Sequence, residues 1–148
     1  MTNMAVYYAD ATVVYSFWLS HGYSPAAACG LVAQADAESS FNPLAVGDHD
    51  HAFSVYQDHD DRCAQIKKGC GVDLKRSPTV ADALKAAYWE LTHTEKFANA
   101  QIKAAKTAYD AGFAACKFFE RPGSHDQYIK RGKKAEEWAA YFSKHPPK

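Results

Sequence analysis

Excess charge of either sign is missing from this chain: 17 Lys and Arg residues equal 17 Asp and Glu residues over 148 positions. Binding to a polyanion draws on a surplus of cations, so nucleic acid is not an expected partner. Electrostatic steering onto an anionic envelope is excluded on the same ground. Long apolar runs are also missing. Asp10, Ser16, Ser20 and His21 interrupt the most hydrophobic stretch, and crossing a bilayer takes about 20 apolar residues, so no membrane insertion is expected. The start, MTNMAVYYAD, has neither the positive charge nor the unbroken apolar core of a secretory signal. The four cysteines are too few to define a disulfide scaffold. Cys29 and Cys116 lie in Ala-rich runs and read as core packing. Cys63 and Cys70 flank Lys67-Lys68-Gly69, where a bridge would form only if the helix ended at Gly69; reduced thiols are expected. There is no internal repeat, low-complexity tract or linker, so residues 1–148 read as a single domain.

Against these absences stands a composition that is 47% hydrophobic, enough for one real core. A first helix is expected from Val6 to Ser20, with Tyr8, Ala11, Val14 or Tyr15, and Trp18 on one face and Gly22 as its stop. Asp58 or Asp60 is placed to cap a short helix through Ile66. Thr79-Val80-Ala81-Asp82 has the form of a capping box with Asp for Glu, opening a helix to about His93. Further helices are expected from Thr94, from near Thr107 to just before Pro122, and from a second box, Ser124-His125-Asp126-Gln127, to His145. Glu120 and Arg121 are expected to form a structural ion pair. Only His51 to Gln57 alternates like a strand, with Phe53 and Val55 turned inward against Ala45-Val46 in a small hairpin. The fold class is therefore mainly α, with a small β element (α+β).

The stretch from Ser24 to Gln57 carries the chemistry. Ser24 suits an N-cap and Pro25 the first helical position. The residues that follow, from Ala26 to Ala35, are small and apolar on nearly every side, as in a helix buried at the centre of a domain. Phe41-Asn42-Pro43 stops it. Glu38 lies seven residues after Leu31 and three after Ala35, so it continues the apolar stripe instead of facing water. Desolvation and the negative end of the helix dipole both favour a protonated carboxyl there. Protonating a leaving oxygen near neutral pH requires such an acid.

Glu38-Ser39-Ser40-Phe41-Asn42-Pro43, then Ala45-Val46-Gly47-Asp48, then Ala52-Phe53-Ser54-Val55-Tyr56-Gln57, resembles the signature of lysozyme-like peptidoglycan hydrolases. The resemblance is closest to the phage tail lysozyme group. Arg62 stands where that group has an Arg after the Gln, and Phe118-Phe119-Glu120-Arg121-Pro122 with Arg131 and Ala135 resembles its closing segment. Three departures stand out. Ser54 replaces a Gly, Asp58 and His59 replace an aromatic, and His49, Asp50 and His51 make the turn more polar.

The resemblance implies a lysozyme-like helical domain with its hairpin beside an active-site cleft. It implies cleavage of the β-1,4 bond between MurNAc and GlcNAc, with Glu38 as general acid. Asp48, in the turn across the expected cleft, is the leading candidate for the second role, and its alternative is a structural one, bonding its own backbone. Asp50, Ser54, Tyr56 and Gln57 are candidates for substrate binding, Tyr56 equally for core packing. The expected partners are bacterial peptidoglycan and other virion or lysis proteins. The protein is placed in a virion, or in the host cytoplasm with release to the wall. His49, His51 and His59 have metal-ligand chemistry, yet turns and helix starts collect such residues for solvation, and no metal or cofactor is expected. Two other enzymes stay open: a lytic transglycosylase using the same Glu38, and a metal-dependent amidase using the histidines. A non-catalytic glycan-binding or structural virion domain is the rival from outside enzymology.

Overall fold

The computed structural model describes residues 3–148. Its helices are α1 (Asn3–Ser20), α2 (Pro25–Ser39), α3 (Asp60–Cys70), α4 (Val80–Thr92), α5 (Lys96–Ala104), α6 (Ala108–Ala114) and α7 (His125–Lys144), with a π-helical turn at Ala115–Glu120. Three two-residue strands, β1 (Val46–Gly47), β2 (Ala52–Phe53) and β3 (Asp58–His59), form one antiparallel sheet in that order. Val46 pairs with Phe53, and Phe53 with Asp58. The mainly α expectation with a small β element is what the chain adopts; the third strand was not foreseen.

The architecture is built around α2. Ser24 Oγ accepts from the Ala27 N–H at 3.1 Å, Pro25 occupies the first turn, and every residue from Ala27 to Asp36 is buried. Helices α1, α6 and α7 and the π-helical turn all pack against it. Small residues make this possible. A Cβ on Gly30 would lie 2.6 Å from the Ala111 carbonyl carbon, and one on Gly112 would lie 2.5 Å from the Arg131 carbonyl oxygen. The α2, α6 and α7 backbones therefore nearly touch. Asp36 Oδ2 fastens the other side of α2 by accepting from Tyr7 Oη (2.6 Å), Lys134 Nζ (3.0 Å) and Trp138 Nε1 (3.1 Å).

The local signals at Thr79 and Thr107 are borne out. The Thr79–Asp82 capping box is complete, and Thr107 Oγ1 caps α6 through the Asp110 N–H. Elsewhere the structure corrects the expectation. Ser124 makes no side-chain cap bond, α5 starts at Lys96 with no side-chain cap, and α3 runs on to Cys70 before Gly71 ends it. Cys63 and Cys70 are therefore two turns apart on one helix, about 10 Å along its axis, too far to bridge, and all four cysteines are free thiols. The helix from Thr107 widens into the π-helical turn, whose last bond runs from the Arg121 N–H to Cys116 O at 2.7 Å. Arg121 pairs not with Glu120 but with Glu95, at 2.5 Å.

Candidate active site

Glu38 closes α2 with its side chain 21% exposed. It is neither buried outright nor waving in solvent, because one row of α2 side chains and one residue of α7 hold it. Arg131 Nη2 donates to Glu38 Oε1 at 3.0 Å, and Arg131 Nη1 donates to the buried Gln34 Oε1 at 2.7 Å. Gln34 Nε2 in turn donates to the Gly30 and Gly112 carbonyls, both at 3.0 Å. The chain of bonds passes from the backbones of α2 and α6 through an amide and a guanidinium to the carboxyl. It fixes the carboxyl's position while leaving an edge open to a reactant.

The helix end is also tied to the hairpin. Ser40 and Phe41 adopt left-handed backbone at φ 51° and 63°, which turns the chain sharply back. Ser39 Oγ then donates to Val55 O at 2.8 Å. This brings the hairpin alongside Glu38 and orders the remaining candidates. Tyr56 is buried, its hydroxyl donating to Leu31 O (3.0 Å) and accepting from Trp18 Nε1 (3.1 Å). Its ring and hydroxyl are both used in the core, so no face remains for a sugar. Gln57 Nε2 donates to Ala45 O (3.1 Å) and Ser54 O (2.9 Å), stapling the hairpin. A Cβ on Gly47 would meet Gln57 Oε1 at 2.6 Å, so the end of that side chain would have to move aside. Asp48, His49 and Asp50 make the exposed tip in three successive left-handed residues. Asp48 Oδ2 stands 3.5 Å from His59 Nε2, and His51 Nδ1 contacts Asp60 Oδ2 at 2.5 Å. Among the described residues no three His, Cys, Asp or Glu side chains converge as metal ligands.

Ser54 is buried with φ 72°, a conformation that favours glycine, and its Oγ has no hydrogen-bond partner. Left-handed backbone at a residue with a Cβ costs about 1–2 kcal/mol, and a buried hydroxyl without a partner adds to that. Ser54→Gly is expected to stabilise the fold by about 1 kcal/mol after the extra freedom of the unfolded glycine is subtracted. A higher urea midpoint checks this; an unchanged or lower one contradicts it.

Behind the hairpin lies a group that the sequence reading missed. Arg62 Nε donates to Glu90 Oε2 at 2.6 Å and lies 3.2 Å from Asp58 Oδ1, while its Nη1 donates to Phe119 O at 3.0 Å. The guanidinium also covers the Phe119 ring, 4.8 Å from its centroid. Glu95 lies 3.7 Å away and is shared with Arg121. Asp58 and Glu90 are buried, and Glu120 places its Oε1 out of contact with water. Burial, then the charge of Asp58, hold the Glu90 carboxyl well above the ordinary range against the pull of Arg62. Burial, then the charge of Glu38, do the same for Glu120. Asp58 Oδ1 and Glu90 Oε1 are both buried without a hydrogen-bond partner, on either side of the guanidinium that pairs with both residues. Asp58 thus stands in the buried cluster, while His59 beside it is exposed.

These raised values have a definite sign in stability. Above about pH 4.5 the unfolded chain loses the protons that folded Glu90 and Glu120 keep, so folding binds protons. Their contribution is complete below that pH and is lost as pH rises toward the folded values. Urea midpoints are expected to fall between about pH 5 and pH 8; a rise across that window would contradict it.

The hollow of about 130 Å³ beside Asp36, lined by Tyr7, Tyr8, Lys134 and Trp138, is separate from this site. Asp36 and Glu38 are two residues apart and point to nearly opposite sides of α2. A central buried helix ending in a held glutamate, with a small sheet tied to that end, defines a lysozyme-like fold. The chain belongs to the phage tail lysozyme family, whose sequence model matches residues 9–142. That membership implies lysozyme-like peptidoglycan hydrolysis. No curated protein matches the chain.

Proposed function

We propose that this chain cleaves the β-1,4 bond between MurNAc and GlcNAc in the glycan strand, with Glu38 as general acid. The observation that carries the reading is the Glu38 carboxyl, partly open to solvent and held by Arg131 at 3.0 Å at the end of the buried α2. In the step proposed, Glu38 gives its proton to the bridging oxygen as the bond from that oxygen to the anomeric carbon breaks. Arg131 then faces the carboxylate that remains, and charge-assisted hydrogen bonds of this kind are the stronger ones.

The positive anomeric centre must be quenched. Asp48, exposed at the hairpin tip, is the candidate to take a proton from the attacking water, which would leave a reducing end. If no protein base takes that role, the sugar's own hydroxyl closes on the anomeric carbon and leaves an anhydro end. Sugar contacts are assigned to the hairpin tip with Asp48 and Asp50, and not to the buried Ser54 and Tyr56. A role on a virus particle crossing a wall, or in lysis, belongs to the same proposal, and membership of the phage tail lysozyme family supports it.

Mass spectrometry of fragments released from purified peptidoglycan tests the reading. Reducing glycan ends are expected, and anhydro ends would assign the transglycosylase route. Free peptides lost on chelation would overturn the glycosidase in favour of an amidase. No soluble fragments at all would leave a binding domain.

A further inference from the structure

The buried run of α2 from Ala27 to Asp36 is small and apolar except for Asp36 at its end and Gln34, an amide with no exposed surface. Burying an amide is unfavourable unless its polar atoms are bonded. Ser54, Asp58, Arg62, Glu90 and Glu120 each leave a buried polar atom without a partner, and Gln34 leaves none. Its Nε2 donates to Gly30 O on its own helix and to Gly112 O on α6, both at 3.0 Å, and its Oε1 accepts from Arg131 Nη1 at 2.7 Å. The amide cannot be turned over. Reversal would set its oxygen against two carbonyls and its NH2 against a guanidinium, which only donates.

Gln34 and Glu38 are four residues apart, so they stand one above the other on the same face of α2. One planar guanidinium spans both, with Nη1 on the amide and Nη2 on Glu38 Oε1 at 3.0 Å. The root of Arg131 is fixed as well, because its carbonyl lies so close to Gly112 that a Cβ there would meet it at 2.5 Å. Two consequences follow from the chemistry of these groups. A neutral amide orients the cation without neutralising it, so the charge of Arg131 is left to Glu38. A guanidinium has donors only, so Glu38 Oε1 is held as an acceptor, and an acid proton on this carboxyl belongs on Oε2.

We propose that Gln34 is a positioning residue for the reaction: through Arg131 it holds Glu38 with its transferable proton on Oε2. The inference rests on Glu38 being the general acid. In the step, the bond from Oε2 to its proton breaks as the proton passes to the bridging oxygen, and the electron pair stays on the carboxylate. The charge of Arg131, kept in place by the amide, then faces that anion. The attacking hydroxyl, of water or of the sugar itself, releases one proton and Glu38 takes one up, so protons balance over a cycle.

The test is kcat and KM on purified glycan strands for the wild type, Gln34→Met, Arg131→Met and the double variant, each checked as folded by circular dichroism. Gln34→Met keeps the length of the side chain and removes its three bonds. Its kcat is expected to fall about 10-fold or more, as misplacement of a reacting group does, with KM within about twofold because the amide is buried away from substrate. Arg131→Met is expected to lose at least as much. The deciding comparison is the double variant: an amide that acts through the guanidinium has nothing left to orient, so adding Gln34→Met to Arg131→Met is expected to change kcat by less than about twofold. An unchanged kcat in Gln34→Met, a loss confined to KM, or the same loss in both backgrounds overturns the proposal. A merely structural amide gives the last result, since its ties to the Gly30 and Gly112 carbonyls do not pass through Arg131. Should Arg131→Met not fold, Arg131→Lys takes its place. Lysine keeps the charge but has no planar fork to span amide and carboxyl, so kcat is expected to fall, and wild-type kcat overturns the proposal. Wild-type turnover by Glu38→Gln would remove the general-acid assignment and this inference with it, whereas an inactive Glu38→Gln with an unchanged Gln34→Met sinks the inference alone.

Discussion

Replacing Glu38 with glutamine is expected to lower the release of glycan fragments from purified wall by about 10²–10⁴-fold, the usual contribution of a positioned acid. The substitution is nearly isosteric. An amide oxygen can still accept from Arg131 Nη2, so the bond chain through Gln34 to the Gly30 and Gly112 carbonyls stays closed. What the amide lacks is an acidic proton. The thermal midpoint should therefore stay within a few degrees of the wild type while turnover collapses, and that separation distinguishes a chemical role from a structural one. Equal release by both proteins would remove Glu38 from the mechanism. Asp48→Asn provides the companion measurement. A comparable collapse would give Asp48 the second role, and near-normal turnover with anhydro ends would hand that role to the sugar.

The second large effect is on stability and centres on Arg62. Arg62→Met preserves much of the side chain's length and its contact with the Phe119 ring, but removes the cation that Asp58 and Glu90 share. Breaking a buried ion pair from one side typically costs about 3–5 kcal/mol, because the partner is left without compensation. Here the loss should depend on pH. A buried carboxylate left without its cation can escape by taking up a proton, so the deficit is expected to be smaller near pH 5 and to widen toward pH 8. Urea denaturation at the two pH values measures it. A pH-independent loss would mean that packing on Phe119, and not charge, is what Arg62 supplies.

How far the site was legible from sequence differs residue by residue. Glu38 stands out in the sequence because it continues the apolar stripe of α2 and because the residues around it resemble the lysozyme-like signature. Glu90 passes the same test, standing among the buried Ala83, Ala86, Ala87 and Leu91 of α4, and that signal was available. Glu120 was read as half of an ion pair with Arg121, because adjacency in sequence suggested contact. The π-helical turn, with Arg121 in left-handed backbone at φ 55°, instead sends Arg121 out to Glu95 and leaves Glu120 within. Residues His51 to Gln57 read as one strand, but only Ala52–Phe53 is a strand, and Ser54 to Gln57 form the turn that follows it. Tyr56 takes the core-packing role left open for it, through Leu31 and Trp18, and Gln57 bonds to Ala45.

The sequence by itself determined the helices opened by Ser24, Thr79 and Thr107, the buried character of α2, the turn after it and the glutamate at its end. These depend on neighbours along the chain, where spacing alone decides contact. Only the tertiary structure decided which guanidinium meets which carboxyl. Arg131 and Glu38 are 93 residues apart and Arg62 and Glu90 are 28 apart, and no local period specifies such pairs. They are set by how closely α2, α6 and α7 approach at Gly30 and Gly112, and by a widened turn that the 3.6-residue repeat does not contain.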